Sequence, residues 1–356
     1  MVSIKKIEGL DPLEYQHPED RKALLALEKT PGLGFLVNKF YELGFETLLR
    51  IEFTGSNLLV TDSAFPEIYP IFENACDNLD LDPKIEPQFY FRWSDYFRIL
   101  DFPTNNMQGL TVGVSKPIIA ISAEAIENFS DAELLFLIGC EVGRVKSKQV
   151  LYEDIARLLP VLGSAISTVA FGLGGLTGSI TGGLHIALNQ WLRMADYTAD
   201  RAGLLACQDF EVAMTALAKM AGLPPKYFSS FNVNEFKNQA REFEGIGDNL
   251  YNKVLKVIST VQRDQAFTIA RAHELLKWVE SGEFQDVLDR KIKVQLPQTT
   301  SEEAQLSQTI LEEAQLLTPE RCRHCNFELL ASHTFCPNCG KKVSTQGWFG
   351  LGKGKS

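Results

Sequence analysis

The sequence has few histidines and fewer basic than acidic residues. Its 356 residues contain five histidines, and 35 Lys and Arg against 45 Asp and Glu give a net charge of −10. Because a nucleic-acid surface needs a basic stripe, this balance argues against nucleic acid as a partner. The N-terminus has no secretory signal pattern, so we expect a cytoplasmic protein with reduced cysteines.

One internal stretch lacks charge altogether. Residues 158–192 contain no Asp, Glu, Lys or Arg. Within it, Leu158–Leu176 is long enough to be considered as a bilayer span. However, Pro160 and several glycines interrupt it, and such a density of small residues also suits tightly packed soluble helices. The sequence favours a soluble or peripheral protein over a transmembrane one and leaves membrane association open.

A helix is predicted to begin after Ser130 and to carry an unusual pentapeptide. Ser130 and Glu133 form a capping box, and apolar residues then recur with helical period. About halfway along, residues 140–144 read Cys-Glu-Val-Gly-Arg. In a zinc-peptidase helix that reads His-Glu-x-x-His, the two histidines bind zinc and the glutamate is the general base. Glu141 keeps the base position, whereas Cys140 and Arg144 stand at the histidine positions.

A second segment strengthens this likeness. Residues 195–203 read Ala-Asp-Tyr-Thr-Ala-Asp-Arg-Ala-Gly, which resembles the Glu-x-x-Ala-Asp-Arg-x-Gly signature of the HtpX-like and CAAX-prenyl-protease family of zinc metallopeptidases. The resemblance implies that Asp196 stands at the third zinc-ligand position and that Asp200 supports the ligands. Residues 270–283 are similar to the helix that closes the family's domain, although Gln265-Ala266 replaces the usual His-Pro. The likeness covers roughly residues 60–290.

The substitutions leave too few ligands for catalytic zinc, which takes three protein ligands and a water. Cys140 and Asp196 could ligate, but Arg144 has no lone pair to offer. His185 lies eleven residues before Asp196 on one helical run, roughly 16 Å away, and His273 is predicted to be a solvated surface residue. The sequence therefore predicts that catalytic zinc has been lost.

Arg144 offers an electrostatic replacement for the missing ion. Carboxylates left without a dication would repel one another, and a guanidinium can pair with Asp196 or Glu141 in a forked geometry. In the alternative interpretation, Arg144 extends into solvent. Cys140 has no nearby histidine to act as a base, so a small buried core residue is favoured over a nucleophile.

The C-terminal cysteines point to a different zinc site. Cys322 and Cys325 form one Cys-x-x-Cys pair, and Cys336 and Cys339 form another after ten intervening residues. Four thiolates at this spacing provide the closed tetrahedral set of a structural zinc ion. Metal binding would supply the folding energy of so short a module. The sequence predicts a zinc ribbon.

The predicted fold is α+β and mainly helical, with a zincin-like metallopeptidase domain that contains a small mixed sheet. A helix is predicted from Pro66 to about Leu79, and strands at Phe89–Trp93, Leu110–Val114 and Pro117–Ile121. The division of the chain is an N-terminal segment (1–55), a metallopeptidase-like domain (56–294), a linker (295–320), the ribbon (321–345) and a flexible tail (346–356).

Together these features predict a pseudo-peptidase that binds a protein or peptide, with a membrane surface as a further possible partner. Extended peptides can join the edge of a sheet through backbone hydrogen bonds that need no metal. One alternative is an active zinc-dependent metalloendopeptidase built around Glu141, Cys140 and Asp196. Another is a membrane-associated structural scaffold.

Overall fold

The computed structural model describes residues 4–30, 32–85, 87–93, 96–97, 102–103, 108–158, 178–245, 266–291, 320–321 and 328–329. These residues form mainly helices with one small mixed sheet. The predicted α+β, mainly helical class is confirmed.

Four helices precede the sheet. They are α1 (Pro12–Tyr15), α2 (Pro18–Glu28), α3 (Leu33–Glu42) and α4 (Phe45–Ser56). Helix α4 buries Phe45, Leu49 and Phe53 in a hydrophobic cluster with one face of the sheet. The backbone N–H of His17, which caps α2, donates to Thr198 at 3.0 Å and ties the N-terminal helices to a long helix later in the chain.

The sheet has four strands in the order β1-β2-β6-β5. Its members are β1 (Leu58–Val60), β2 (Gln88–Arg92), β5 (Gly109–Val112) and β6 (Ile118–Ser122), and a separate ribbon pairs β3 (Tyr96–Phe97) with β4 (Phe102–Pro103). Strands β2 and β6 are parallel, and the other neighbours are antiparallel. The three predicted strands are confirmed. Strand β1 was not predicted because it has three residues and no alternation of exposure.

The first helix after β1 starts later than the sequence predicts. Residues 66–68 form turns, and α5 runs from Tyr69 to Asn78. The prediction that Pro66 opens the helix is wrong, because Pro70 lies in the first turn instead. Both prolines satisfy the preference for proline at a helix start, and the sequence does not distinguish them.

Two long helices carry the signature segments. The helices in this region are α6 (Ala123–Asn128), α7 (Asp131–Lys146), α8 (residues 150–158) and α9 (Gly178–Cys207). The capping box of Ser130 and Glu133 at the start of α7 is confirmed. A Cβ on Gly143 would lie 2.2 Å from the Cβ of Ala202, and one on Gly139 would lie 2.4 Å from that of Ala206. Glycine therefore lets α7 and α9 approach closely.

The remaining helices complete two hydrophobic clusters. They are α10 (Phe210–Met220), a 3-10 turn (Pro225–Ser230), α11 (Val233–Gly245), α12 (Thr268–Glu280) and α13 (Glu283–Leu288). One cluster joins α5, α7, α10, α12 and the second half of α9 to one face of the sheet. The other joins α2–α4, α8 and the first half of α9 to the opposite face. The long helix α9 links both clusters.

The uncharged stretch is described only in part. Residues 178–192 belong to α9, where Leu184, Leu188 and Trp191 are buried in the second cluster. No helix within the described ranges is long and apolar enough to cross a membrane. Residues 159–177, most of the linker, the four ribbon cysteines and the tail lie outside the described residues.

Candidate functional site

Glu141 lies inside the protein, beneath strand β5. Its Oε2 accepts a hydrogen bond from Thr111 Oγ1 at 2.7 Å, and burial raises the pKa of the carboxyl group. A Cβ on Gly109 would lie 2.5 Å from Glu141 Cγ, so β5 can cover the glutamate only with glycine at that position. The strand and α7 together hold this side chain in place.

Arg144 is the centre of a buried charge cluster. Its Nη2 donates to Asp196 Oδ1 at 2.6 Å and its Nη1 to Glu153 Oε1 at 2.5 Å, while its Nε lies 3.6 Å from Glu141 Oε1. The predicted pairing with Asp196 is confirmed, and the alternative in which Arg144 extends into solvent is wrong. The predicted forked geometry is also wrong, because the two Nη atoms bind two different carboxylates. Burial disfavours the charge, but Glu153, Glu141 and Asp196 together raise the pKa of Arg144 well above its ordinary value.

Both carboxylate oxygens of Asp196 already accept a hydrogen bond. Oδ1 accepts from Arg144, and Oδ2 accepts from the backbone N–H of Ala266 at 2.9 Å. Ala266 belongs to the Gln-Ala dipeptide that stands where the resembling family has His-Pro. A backbone N–H therefore contacts Asp196 at this position.

Asp200 and Cys140 form a second, separate arrangement. Arg271 on α12 donates to both oxygens of Asp200, from Nε at 2.8 Å and from Nη2 at 2.6 Å. The Cys140 thiol lies 3.9 Å from Asp200 Oδ1. Burial, together with this carboxylate, raises the pKa of Cys140 well above its ordinary value. The thiol is therefore protonated, which suits a core residue and not a nucleophile.

A catalytic zinc ion does not fit these side chains. Zinc needs three protein ligands at about 2.0–2.3 Å, and the Asp196 oxygen that faces Arg144 is already within 2.6 Å of a guanidinium nitrogen. Cys140 contacts Asp200 instead. Across the described ranges no three His, Cys, Asp or Glu side chains are grouped to hold a metal ion.

Sequence reasoning missed the partners that come from other elements. Glu153 on α8 bridges two arginines, because its Oε1 accepts from Arg144 and its Oε2 from Arg157 Nη2 at 3.1 Å. Arg271 was also not singled out. A count of charge held a signal for Arg271: Glu141, Asp196 and Asp200 carry three negative charges, and Arg144 alone could not balance them if all were buried. The same count gives no signal for Glu153, which adds a further negative charge.

His185 and His273 belong to no group of three possible metal ligands in the part of the chain that the structure describes. His185 is exposed on α9 and lies near Asn189, at 3.3 Å. His273 is half-buried on α12, and its Nδ1 is shielded from solvent, so the prediction of a solvated surface residue is wrong. The helix turns this position partly toward the core, where its neighbours Ala272 and Leu276 are buried.

Comparisons with known proteins agree with the resemblance. The family model described as peptidase family M48 matches residues 105–283. A curated relative, the plastoglobule-localized metallopeptidase 48, chloroplastic, of Arabidopsis thaliana, is 28% identical over 281 residues, which cover 79% of this chain and 76% of the relative. No solved structure matches. The matched region contains Glu141, Arg144, Asp196 and Arg271, whereas the ribbon cysteines lie beyond it.

Proposed function

This chain belongs to peptidase family M48, and we propose that it is a non-catalytic member in which Arg144 takes the place of the catalytic zinc. In this proposal the protein binds a protein or peptide and does not hydrolyse it. The observation that carries the proposal is the guanidinium of Arg144, which lies among Glu153, Asp196 and Glu141.

The chemistry of Glu141 supports the loss of hydrolysis. A glutamate acts as general base in this family type because a zinc ion polarises the attacking water. Here the nearest positive group is an arginine, which carries one charge and has no open coordination position. Glu141 is itself fixed by Thr111 and enclosed by β5. In this proposal Glu141 is a buried neighbour of Arg144 and has no zinc-activated water to deprotonate.

The four C-terminal cysteines are the proposed zinc site of this chain. Strands β7 (Glu320–Arg321) and β8 (Glu328–Leu329) pair antiparallel. In the sequence, Cys322 and Cys325 lie in the connection between these strands, where the first knuckle of a ribbon is expected. The zinc bound there is structural in this proposal.

The location of the protein is also part of the proposal. The name of the curated relative places that protein at plastoglobules in the chloroplast, so this relative gives no support to the predicted cytoplasmic location. We propose that the present chain likewise works at a defined subcellular structure, with contact to a membrane surface as the mode of attachment. Fractionation of the native cell tests this, since recovery only with the free proteins would contradict it.

A casein cleavage assay tests the non-catalytic proposal directly. Fluorescein-labelled β-casein is incubated with added zinc and either the wild-type protein or Glu141→Gln purified in the same way. We expect the two proteins to release fluorescent fragments at the same background rate. Cleavage by the wild type that is lost in Glu141→Gln would establish the alternative, an active metalloendopeptidase with an atypical site.

A further inference from the structure

Strand β5 is an edge strand of the four-stranded sheet, and one side of its backbone faces away from β6. In an antiparallel pair, residues that exchange hydrogen bonds alternate with residues that do not. The bond from Ser122 N–H to Gln108 C=O fixes the phase, so that Gln108, Leu110 and Val112 face β6. The backbone groups of Thr111 therefore point outward, as does the N–H of Gly113 just past the strand.

Two side chains from α8 bind two of these outward groups, the C=O of Thr111 and the N–H of Gly113. Arg157 Nη1 donates to the C=O of Thr111 at 2.8 Å, and Asp154 Oδ2 accepts from the N–H of Gly113 at 2.8 Å. Asp154 is fully buried in this contact. A donor and an acceptor on one helix thus bind a C=O and an N–H two residues apart on the strand.

This spacing is the one that a neighbouring strand would use. In a parallel ladder, one residue of the added strand donates to the C=O of residue i and accepts from the N–H of residue i+2. The C=O of Thr111 and the N–H of Gly113 are such a pair. Asp154 and Arg157 reproduce the hydrogen bonds of one residue of an added strand.

The same helix connects the edge of the sheet to the arginine cluster. Glu153 accepts from Arg157 at 3.1 Å and from Arg144 at 2.5 Å. Arg157 also lies 3.4 Å from Asp154 Oδ1, so its guanidinium holds both carboxylates while it binds Thr111. Helix α8 is therefore connected to the edge of β5 through Arg157 and to Arg144 through Glu153, and Arg157 and Glu153 are themselves paired.

We infer that α8 is an intramolecular latch: Asp154 and Arg157 occupy the backbone positions at which an extended polypeptide would join β5, so that this edge stays closed until α8 moves away. The inference rests on the proposed function only for the nature of the excluded partner, a polypeptide. The latch makes partner binding conditional, because the apparent affinity falls with the fraction of molecules whose edge is open.

Anisotropy of fluorescein-labelled β-casein, an unfolded polypeptide, tests the latch in the full-length protein. Arg157→Gln removes the contact to Thr111, and Asp154→Ser independently removes the one to Gly113. Each variant should bind casein at least about tenfold more tightly than the wild type, as expected when a minor open state becomes well populated. The matched control is Arg241→Gln, which breaks an exposed ion pair with Glu280 elsewhere and should leave binding unchanged.

Two further measurements separate an opened edge from general unfolding. Hydrogen exchange of the Gly113 amide should accelerate in Asp154→Ser, while amides in the middle of α7 keep the wild-type rate. In the Arg157→Gln background, Thr111→Pro should abolish the gain in binding. Proline there removes an outward N–H but costs no hydrogen bond between β5 and β6. It also removes the hydrogen bond from Thr111 Oγ1 to Glu141, so Thr111→Val, which loses only that bond, is the matched control and should keep the gain.

The outcomes distinguish the two proposals. Tighter binding with casein recovered intact supports both. Tighter binding with casein cleaved supports the latch and contradicts the non-catalytic proposal. Unchanged binding in both variants, or a gain that survives Thr111→Pro, contradicts the latch and leaves the non-catalytic proposal standing.

Discussion

Two buried arginines contact the aspartates of α9 one helical turn apart, and their surroundings differ. Arg271 and Asp200 form a one-to-one pair with two parallel hydrogen bonds. Arg144 is shared among Asp196, Glu153 and Glu141, which come from three different helices. The first pair is balanced by itself. The second arrangement has an excess of negative charge and depends on Arg157 as a second cation.

This difference shows which helices each buried arginine holds together. The pair of Asp200 with Arg271 fastens α12 to α9. The Arg144 cluster fastens α7, α8 and α9 together and extends through Arg157 to strand β5. Substitution of Arg144 should therefore disturb the packing of the sheet as well as the helices. Substitution of Arg271 should disturb only the contact between α12 and α9.

Arg144→Met should have the largest effect on stability. It leaves Glu141, Glu153 and Asp196 close together in the interior without their shared cation, and breaking a buried ion pair costs about 3–5 kcal/mol. Urea unfolding monitored by circular dichroism gives the free energy of unfolding. Arg144→Lys is the matched control and should recover part of the loss, since lysine keeps the charge but not the fork. A loss of less than about 1 kcal/mol for Arg144→Met, the level of an exposed pair, would contradict the role given to Arg144.

Arg271→Met should have a smaller effect, about 3 kcal/mol, the lower end of the cost of breaking a buried ion pair, because only one carboxylate loses its partner. Burial already raises the pKa of Asp200, so the isolated acid can become neutral by binding a proton. The double variant with Asp200→Asn should regain most of the lost stability. If Arg271→Met is as damaging as Arg144→Met, the contrast between a local pair and a shared cluster is wrong.

Asp154 should make the free energy of unfolding depend on pH, by about 2 kcal/mol between pH 5 and pH 7. Burial raises the pKa of Asp154 from an ordinary 3.8 to about 7, against the lowering effects of Arg157 and the Gly113 N–H, while Glu153 and Glu46 raise it further. Between pH 3.8 and about pH 7, Asp154 therefore binds a proton more tightly in the folded state than in the unfolded state. The contribution to stability is therefore greatest at low pH and is lost as the pH rises toward 7.

Unfolding of the wild type and of Asp154→Asn at pH 5 and pH 7 isolates this contribution, because asparagine does not titrate. The wild type should lose about 2 kcal/mol relative to the variant between the two pH values. An identical pH dependence in both proteins would show that Asp154 does not titrate in this range.

The sequence predicted best the features that depend on residues close together along the chain. The capping box of Ser130 placed α7, and helical period put Glu141 and Arg144 on it. The pairing of Arg144 with Asp196 was also predictable, since a buried cation at a position where the resembling family has a zinc ligand needs an acid beside it.

The rest of the site depends on contacts between distant segments. Nothing local marks Glu153 as the second partner of Arg144, and the N–H of Ala266 carries no side-chain signal at all. The closed edge of β5 follows from where α8 packs against the sheet, which no periodicity encodes. The linker, the ribbon and the tail stay predictions.

The zinc content of the purified protein tests most directly whether Arg144 has replaced the catalytic metal. It is measured by elemental analysis on the full chain and on the double variant Cys336→Ser, Cys339→Ser, which removes half of the predicted ribbon site. The account predicts about one zinc per wild-type chain and none in the variant. Stoichiometric zinc retained by the variant, and lost only when Glu141 or Asp196 is changed, would place a metal ion at the signature helices and contradict the account.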